Sequence, residues 1–170
     1  MSDFVVSALK YRPKKFSDVV GQEAVTKTLE NAIATNKIPN AMIFCGPRGV
    51  GKTTCARIFA NEINKHQNND LAFNIFELDA ASNNSVSDIR NLIEQVRIPP
   101  QTGKFKVFII DEVHMLSQTA FNAFLKTLEE PPKHVVFILA TTEKEKIIPT
   151  ILSRCQIFDF KRIKPVSYTH

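Results

Sequence analysis

A chain of 170 residues with 44% hydrophobic content can bury a full core without staples, and corresponds to one domain or one domain plus the start of another. The net charge of +5 and pI near 9.2 fit a nucleotide, a nucleic acid or simple solubility equally well, so charge alone selects no function. Cys45, Cys55 and Cys155 stand far apart without a C-x-x-C pair, Met1 to Phe4 carries no basic and apolar leader, and no apolar run approaches the roughly eighteen residues of a membrane span; a zinc cluster, a disulfide framework and a membrane association are not expected, and a cytoplasmic protein is.

From Lys10 to Gln22 the chain reads as extended or turning, because Pro13 restricts Arg12 and Gly21 punctuates the end. A helix follows with Val25, Leu29, Ala32 and Ile33 on one stripe and Pro39 beyond its end. Tyr11, Val19 and Val20 in the lead-in can serve as an apolar bed for a nucleotide base or as ordinary core, and the residues leave both open.

The apolar run Ala41 to Cys45 reads as a strand and runs directly into Gly46-Pro47-Arg48-Gly49-Val50-Gly51-Lys52-Thr53-Thr54. The spacing G-x-x-x-x-G-K-T is that of a phosphate loop: glycines let successive backbone N–H groups curl onto a phosphate chain, Lys52 bridges the terminal phosphates, and the Thr53 hydroxyl ligates magnesium. Cys55, Ile58, Phe59 and Ile63 recur at helical spacing, so the strand, loop and helix that the motif needs are all predicted, and the helix N-terminus faces the same charge. Lys52 is expected to face solvent when no ligand is bound.

Asn61 to Asn74 is polar and reads as a surface connection, followed by a strand from Asn74 to Leu78. Ser85-x-x-Asp88 is a capping box opening a helix with Val86, Ile89, Ile93 and Val96 buried, ended by Pro99 and Pro100. Phe105 to Ile110 is a near-continuous apolar run, as in a central parallel strand, and it closes on Asp111-Glu112 at the edge where such sheets bind ligands. With the phosphate loop, this acidic pair is the second half of a nucleotide hydrolase: Asp111 holds magnesium through its water shell and Glu112 orients or deprotonates the attacking water.

Phe121, Phe124, Leu125 and Leu128 define the next helix, stopped by Pro131-Pro132, and Val135 to Ala140 the next buried strand. The strand ends in Thr141-Thr142, where a hydroxyl could touch the terminal phosphate or its water, although threonine after a strand is more often a turn residue. Pro149 to Leu152 reads as a short helix running into Ser153-Arg154-Cys155, and Ile157 to Phe160 as the last strand. Five strand candidates alternating with helices predict a three-layer α/β domain with a parallel sheet.

Tyr11-Arg12-Pro13, Val20-Gly21-Gln22, Gly46 to Thr53, Asp79 to Asn83, Ile110 to Leu116, Leu125 to Pro132, Leu139 to Thr142 and Ser153-Arg154-Cys155 together resemble the clamp-loader branch of the AAA+ ATPases, over about Phe4 to Ile163. The resemblance implies a P-loop NTPase fold with a five-stranded parallel sheet. It also implies an ATP- and Mg²⁺-dependent motor that acts with other loader subunits in a ring and loads a sliding clamp onto primed DNA during replication. It gives Arg154 the role of an arginine finger acting in trans on the neighbouring subunit's nucleotide, and Thr142 that of a sensor of the terminal phosphate. No polymerase site is expected in the chain itself, because its acids are accounted for by ATP.

Two departures from the pattern matter. Relatives commonly carry a four-cysteine zinc module after the phosphate-loop helix, whereas Asn61 to Asn74 holds no cysteine, so no zinc is expected. Residues 1–163 then form the nucleotide-binding domain, and Lys164 to His170 a tail that stops short of the helical lid, with a vector origin open for its last residues. The alternatives are a nucleotide-silent, delta-prime-like loader scaffold, disfavoured by the intact phosphate loop and acids, and a helicase-like AAA+ motor on branched DNA.

Overall fold

The computed structural model describes residues 13–65, 74–82, 85–101 and 104–163. The apolar runs become the strands of one parallel sheet: β1 (Ala41–Cys45), β2 (Ile75–Asp79), β3 (Lys106–Asp111), β4 (Val135–Thr141) and β5 (Gln156–Asp159), in the order β2-β3-β4-β1-β5. Alternation decides which way each side chain goes. Met42, Phe44, Val107, Ile109, Val136, Ile138 and Phe158 meet the helices α1 (Glu23–Ala34) and α2 (Lys52–Ile63) on one face. Ile43, Phe108, Ile110, Phe137 and Leu139 meet α3 (Val86–Val96), α4 (Gln118–Glu129) and α5 (Pro149–Arg154) on the other. Three layers result, as predicted.

Local signals set the helix boundaries. Ser85 Oγ accepts the Asp88 N–H at 3.2 Å while Asp88 Oδ2 accepts the Ser85 N–H at 3.3 Å, which is the expected capping box. Ser117 Oγ caps α4 by accepting the Ala120 N–H at 3.2 Å, with no reciprocal bond because the third residue is alanine. The buried stripe of α3 is Ile89, Leu92 and Val96, with Val86 and Ile93 only partly covered. Single 3₁₀ turns at Phe16–Asp18, Val113–Met115 and Lys144–Lys146 were not legible, because one turn is too short to show a period. The last strand begins one residue early, at Gln156, and the Phe160 N–H still donates to Cys45 at 2.7 Å.

The buried side chain of Gln22 ties segments that are distant in sequence. Gln22 donates through Nε2 to the Lys161 carbonyl at 2.6 Å and accepts the Lys161 N–H at 2.9 Å, so the Val20-Gly21-Gln22 box clasps the segment after β5. Gly21 is left-handed (φ 81°), and a Cβ there would lie 3.1 Å from Ile163.

Lys106 is buried at the start of β3, and its Nζ donates to the carbonyls of Gln95 at 2.6 Å and Ile98 at 2.9 Å. An ammonium at this point satisfies orphan carbonyls and complements the negative end of α3, although burial lowers its pKa. Lys106→Met keeps the length of the side chain and removes both bonds. It is expected to cost about 2–3 kcal/mol in urea unfolding, and a loss below about 0.5 kcal/mol would mean that the contact is not stabilising.

Candidate active site

The phosphate loop leaves β1 and enters α2 through backbone that favours glycine: φ is 76° at Gly49 and 99° at Gly51. Gly46 is needed for space, since a Cβ there would lie 2.8 Å from the Phe160 carbonyl oxygen. The loop borders a cleft of about 390 Å³ lined by Arg48, Gly49, Gly51, Lys52, Thr53, Thr54, Asp79, Ala81, Asp111 and Glu112. Gly46, Pro47 and Thr142 border a second cleft, beyond the loop toward Asp159 and Arg162. Val50 turns its side chain into the core under α1 and α2, so its backbone is the part available to a phosphate.

Lys52 departs from expectation. Instead of facing solvent it is 6% exposed, and its ammonium donates to the carbonyl of Gly46 and, at 2.7 Å, to that of Pro47. The physical reason is that an ammonium with three donors, held within the loop, satisfies itself on the nearest carbonyls. Desolvation lowers its pKa, opposed by the nearby carboxylates of Glu112 and Asp111.

Asp79 and Asp111 end adjacent strands in register. Thr53 Oγ1 lies 3.4 Å from Asp111 Oδ2, so a hydroxyl and a carboxylate converge at the start of α2. Asp111 Oδ1 accepts the Glu112 N–H at 2.9 Å. Hard oxygen donors of this kind suit Mg²⁺, which keeps several water ligands and takes few from protein. Glu112 has left-handed backbone (φ 52°, ψ 46°), a conformation that costs a non-glycine residue about 1 kcal/mol or more. The turn takes its side chain out of the strand alternation. Its Oε2 accepts the Thr142 hydroxyl at 3.2 Å, because β4 lies between the strand of the loop and the strand of the acids.

Sequence reasoning missed Asp79, Ala81, His114 and Glu143, and named Thr141 only together with Thr142 at the end of their strand. The first two lie where β2 comes to the edge of the cleft, which only the strand order reveals. His114 is buried three residues after Asp111 and contacts Thr141 at 2.8 Å and Glu143 at 3.1 Å. The string Asp-Glu-Val-His contained it, but nothing there showed what the ring would touch.

Of the lead-in residues, Val19 packs against the core near Gly51, and Val20 is 71% exposed. Neither lines the main cleft, and Tyr11 lies outside the described residues, as do residues 66–73 of the interval discussed for zinc and the tail 164–170. Arg154, the last residue of α5, is exposed, and no hydrogen bond or ion pair among the described residues engages it. It precedes β5, whose Gln156 pairs alongside Met42, whereas the phosphate loop begins beyond Cys45 at the opposite edge. Three strand residues separate the edges by roughly 10 Å, and Arg154 lies further back still. Cys45, Cys55 and Cys155 are free thiols whose pKa burial pushes up to about 11, 12 and 12, which makes them poor nucleophiles.

The family model described as DNA polymerase III, delta subunit, matches residues 21–164. The chain belongs to this family. Among curated members similar to it, DNA polymerase III subunit tau of Bacillus subtilis is 53% identical over 169 residues, covering 90% of this chain and 30% of that protein. The tau subunit of Escherichia coli K12 is 44% identical over 183 residues, covering 98% of this chain and 28% of that protein. The chain thus spans under a third of these relatives, which carry tau names rather than the delta of the family description. Among solved structures, a DNA polymerase III gamma subunit-related protein from Thermotoga maritima superposes with TM-score 0.68 at 25% identity, covering 80% of this chain and 46% of that one. The RuvB Holliday junction branch migration motor of the same organism gives TM-score 0.68 at 25% identity, covering 88% and 48%. The fold of this DNA polymerase III family member is therefore the three-layer AAA+ P-loop fold, and no helix among its described residues is long and apolar enough to cross a membrane.

Proposed function

We propose that the chain is the ATP-binding and ATP-hydrolysing motor module of a DNA polymerase III clamp loader, with residues 1–163 as its nucleotide-binding domain. In this reading it works in a ring of loader subunits that places a sliding clamp on primed DNA, and hydrolysis is the release switch. The observation that carries it is a single cleft uniting the glycine loop, Lys52, the Thr53–Asp111 pair and Glu112. Magnesium bound there would screen the phosphate charge and polarise the transferring group.

The residues act in sequence. Loop N–H groups and the start of α2 bind the phosphate chain, and Lys52 exchanges its carbonyl partners for phosphate oxygens. Glu112 takes the proton of the attacking water on a carboxylate oxygen, and Thr142 holds that carboxylate in orientation. Arg154 supplies charge to the neighbouring subunit's site, a role in trans supported by its place at the opposite sheet edge. The branched-DNA motor has the RuvB likeness in its favour, but the tau relatives at 53% and 44% identity favour clamp loading. The nucleotide-silent scaffold is disfavoured because the loop, Lys52, Thr53, Asp111 and Glu112 are all in place around the cleft.

Calorimetry with Mg-ATP on the parent and Lys52→Ala tests the binding half of the proposal. Loss of two charge-assisted phosphate contacts is expected to weaken affinity about 100-fold or more. The two released carbonyls border open cleft and can meet water, so the melting temperature should fall by only a few degrees. Equal affinity of the two proteins, or no binding by the parent at millimolar Mg-ATP, would count against a functional phosphate loop.

A further inference from the structure

The His114 imidazole, with its side chain 4% exposed, lies between the carboxylates of Glu143 and of Glu112, the latter a residue of the cleft. Its Nε2 lies 3.1 Å from Glu143 Oε2 and 3.5 Å from Glu112 Oε2. Its Nδ1 is 2.8 Å from Thr141 Oγ1, which also accepts the Glu143 N–H at 3.0 Å. These contacts engage both ring nitrogens. Two carboxylates facing Nε2 call for an N–H there, while Nδ1 meets the Thr141 hydroxyl, whose oxygen also accepts the Glu143 N–H. Thr141 is fully buried in β4. The ring therefore meets Thr141 through one nitrogen and faces two acids with the other.

We propose that His114 is a positioning residue for Glu112: its Nε2–H, with the Thr142 hydroxyl, fixes the carboxylate that handles the attacking water. Glu143 is a competing acceptor at the outer end of the same chain of contacts. It is also paired at 3.1 Å with the exposed Lys146, so the orientation of Glu112 is linked to a surface ion pair. The proposal rests on the ATPase reading of the site. It adds that hydrolysis depends on a histidine that is not among the residues lining the cleft and acts through Glu112. The Thr142 hydroxyl bonds Glu112 Oε2 at 3.2 Å and His114 Nε2 approaches the same oxygen at 3.5 Å, so the two bear on its direction as well as its position, and a misplacement of about 1 Å at a reacting group costs on the order of 100-fold.

The test is ATP turnover and nucleotide affinity of the full-length protein, in its assembled complex with clamp and primed DNA. The variants are His114→Phe, His114→Gln and Glu112→Gln, together with the double variant His114→Phe/Glu112→Gln. Phenylalanine fills the ring volume without a donor, whereas glutamine restores an N–H near the position of Nε2. His114→Phe is expected to lower kcat roughly 10- to 100-fold with ATP affinity within about 2-fold of the parent, and His114→Gln to recover part of the loss. In the Glu112→Gln background, His114→Phe should add no further loss of turnover. Parental kcat in His114→Phe would overturn the proposal, as would a loss of ATP affinity equal to the loss of kcat, or equal costs in both backgrounds. Parental turnover in Glu112→Gln alone would instead overturn the underlying assignment of Glu112, so the two failures are distinguishable.

Discussion

Arg154→Ala chains assembled into the full-length complex are expected to bind ATP as tightly as the parent and to lose hydrolysis roughly 10³- to 10⁵-fold at the interfaces they face. A guanidinium is always charged and forks across the oxygens of a transferring phosphoryl group, so its effect is concentrated in the transition state. The competing role for Arg154 is a C-terminal cap on α5, favoured by the helix dipole. Among the described residues no bond from its guanidinium to the last carbonyls of α5 is present, and the turn is closed by the Cys155 N–H on Leu152 instead. Mixing decides between the readings. In complexes combining Arg154→Ala with Lys52→Ala chains, an interface that pairs an intact loop with an intact neighbouring arginine should still turn over, and one with an intact loop facing Arg154→Ala should not. Activity that follows the arginine on the same chain as the working loop would end the proposal of a finger in trans. The isolated domain, lacking a neighbour, should hydrolyse ATP poorly.

Glu112→Gln is expected to separate binding from chemistry, with ATP retained uncleaved and kcat down by about 10²- to 10⁴-fold. The amide preserves the shape and can still accept the Thr142 hydroxyl, while the proton acceptor is lost. Single-turnover measurement with the assembled complex checks it: uncleaved nucleotide should persist at near-parental affinity. Hydrolysis at the parental rate would return the role of base to Asp111 or Asp79. The left-handed backbone at Glu112 makes a second, structural readout possible. Glu112→Gly should relieve local strain and gain stability while losing turnover, the pattern of a site that holds strain for function.

Most of the fold was legible in the chain because parallel strands are buried on both faces and so appear as apolar runs. Ala41–Cys45, Lys106–Asp111 and Val135–Thr141 were found almost to the residue for this reason. Edge strands are half exposed, and β5 was accordingly misplaced by one residue. The phosphate loop and Ser85 cap were equally plain, since their chemistry is local: glycine conformation and a side chain reaching its own third neighbour. Asp111 and Glu112 were legible because a strand end next to a phosphate loop is a position with chemical meaning.

What the sequence by itself determined was thus the chemistry that lies within a few residues of chain: the strand–loop–helix unit, the acids at a strand end, and the apolar periods that make three layers. The tertiary structure decided which of these groups meet. Strand order put Asp79 beside Asp111 and Thr142 against Glu112, and set Arg154 at the sheet edge away from its own loop. It turned Lys52 onto the carbonyls of Gly46 and Pro47 rather than into solvent, and it placed His114 between Glu112 and Glu143. Periodicity states which face a residue occupies, but a polar side chain chooses its partner by the distance to every donor and acceptor around it. Those distances are fixed only when strands from remote parts of the chain lie side by side.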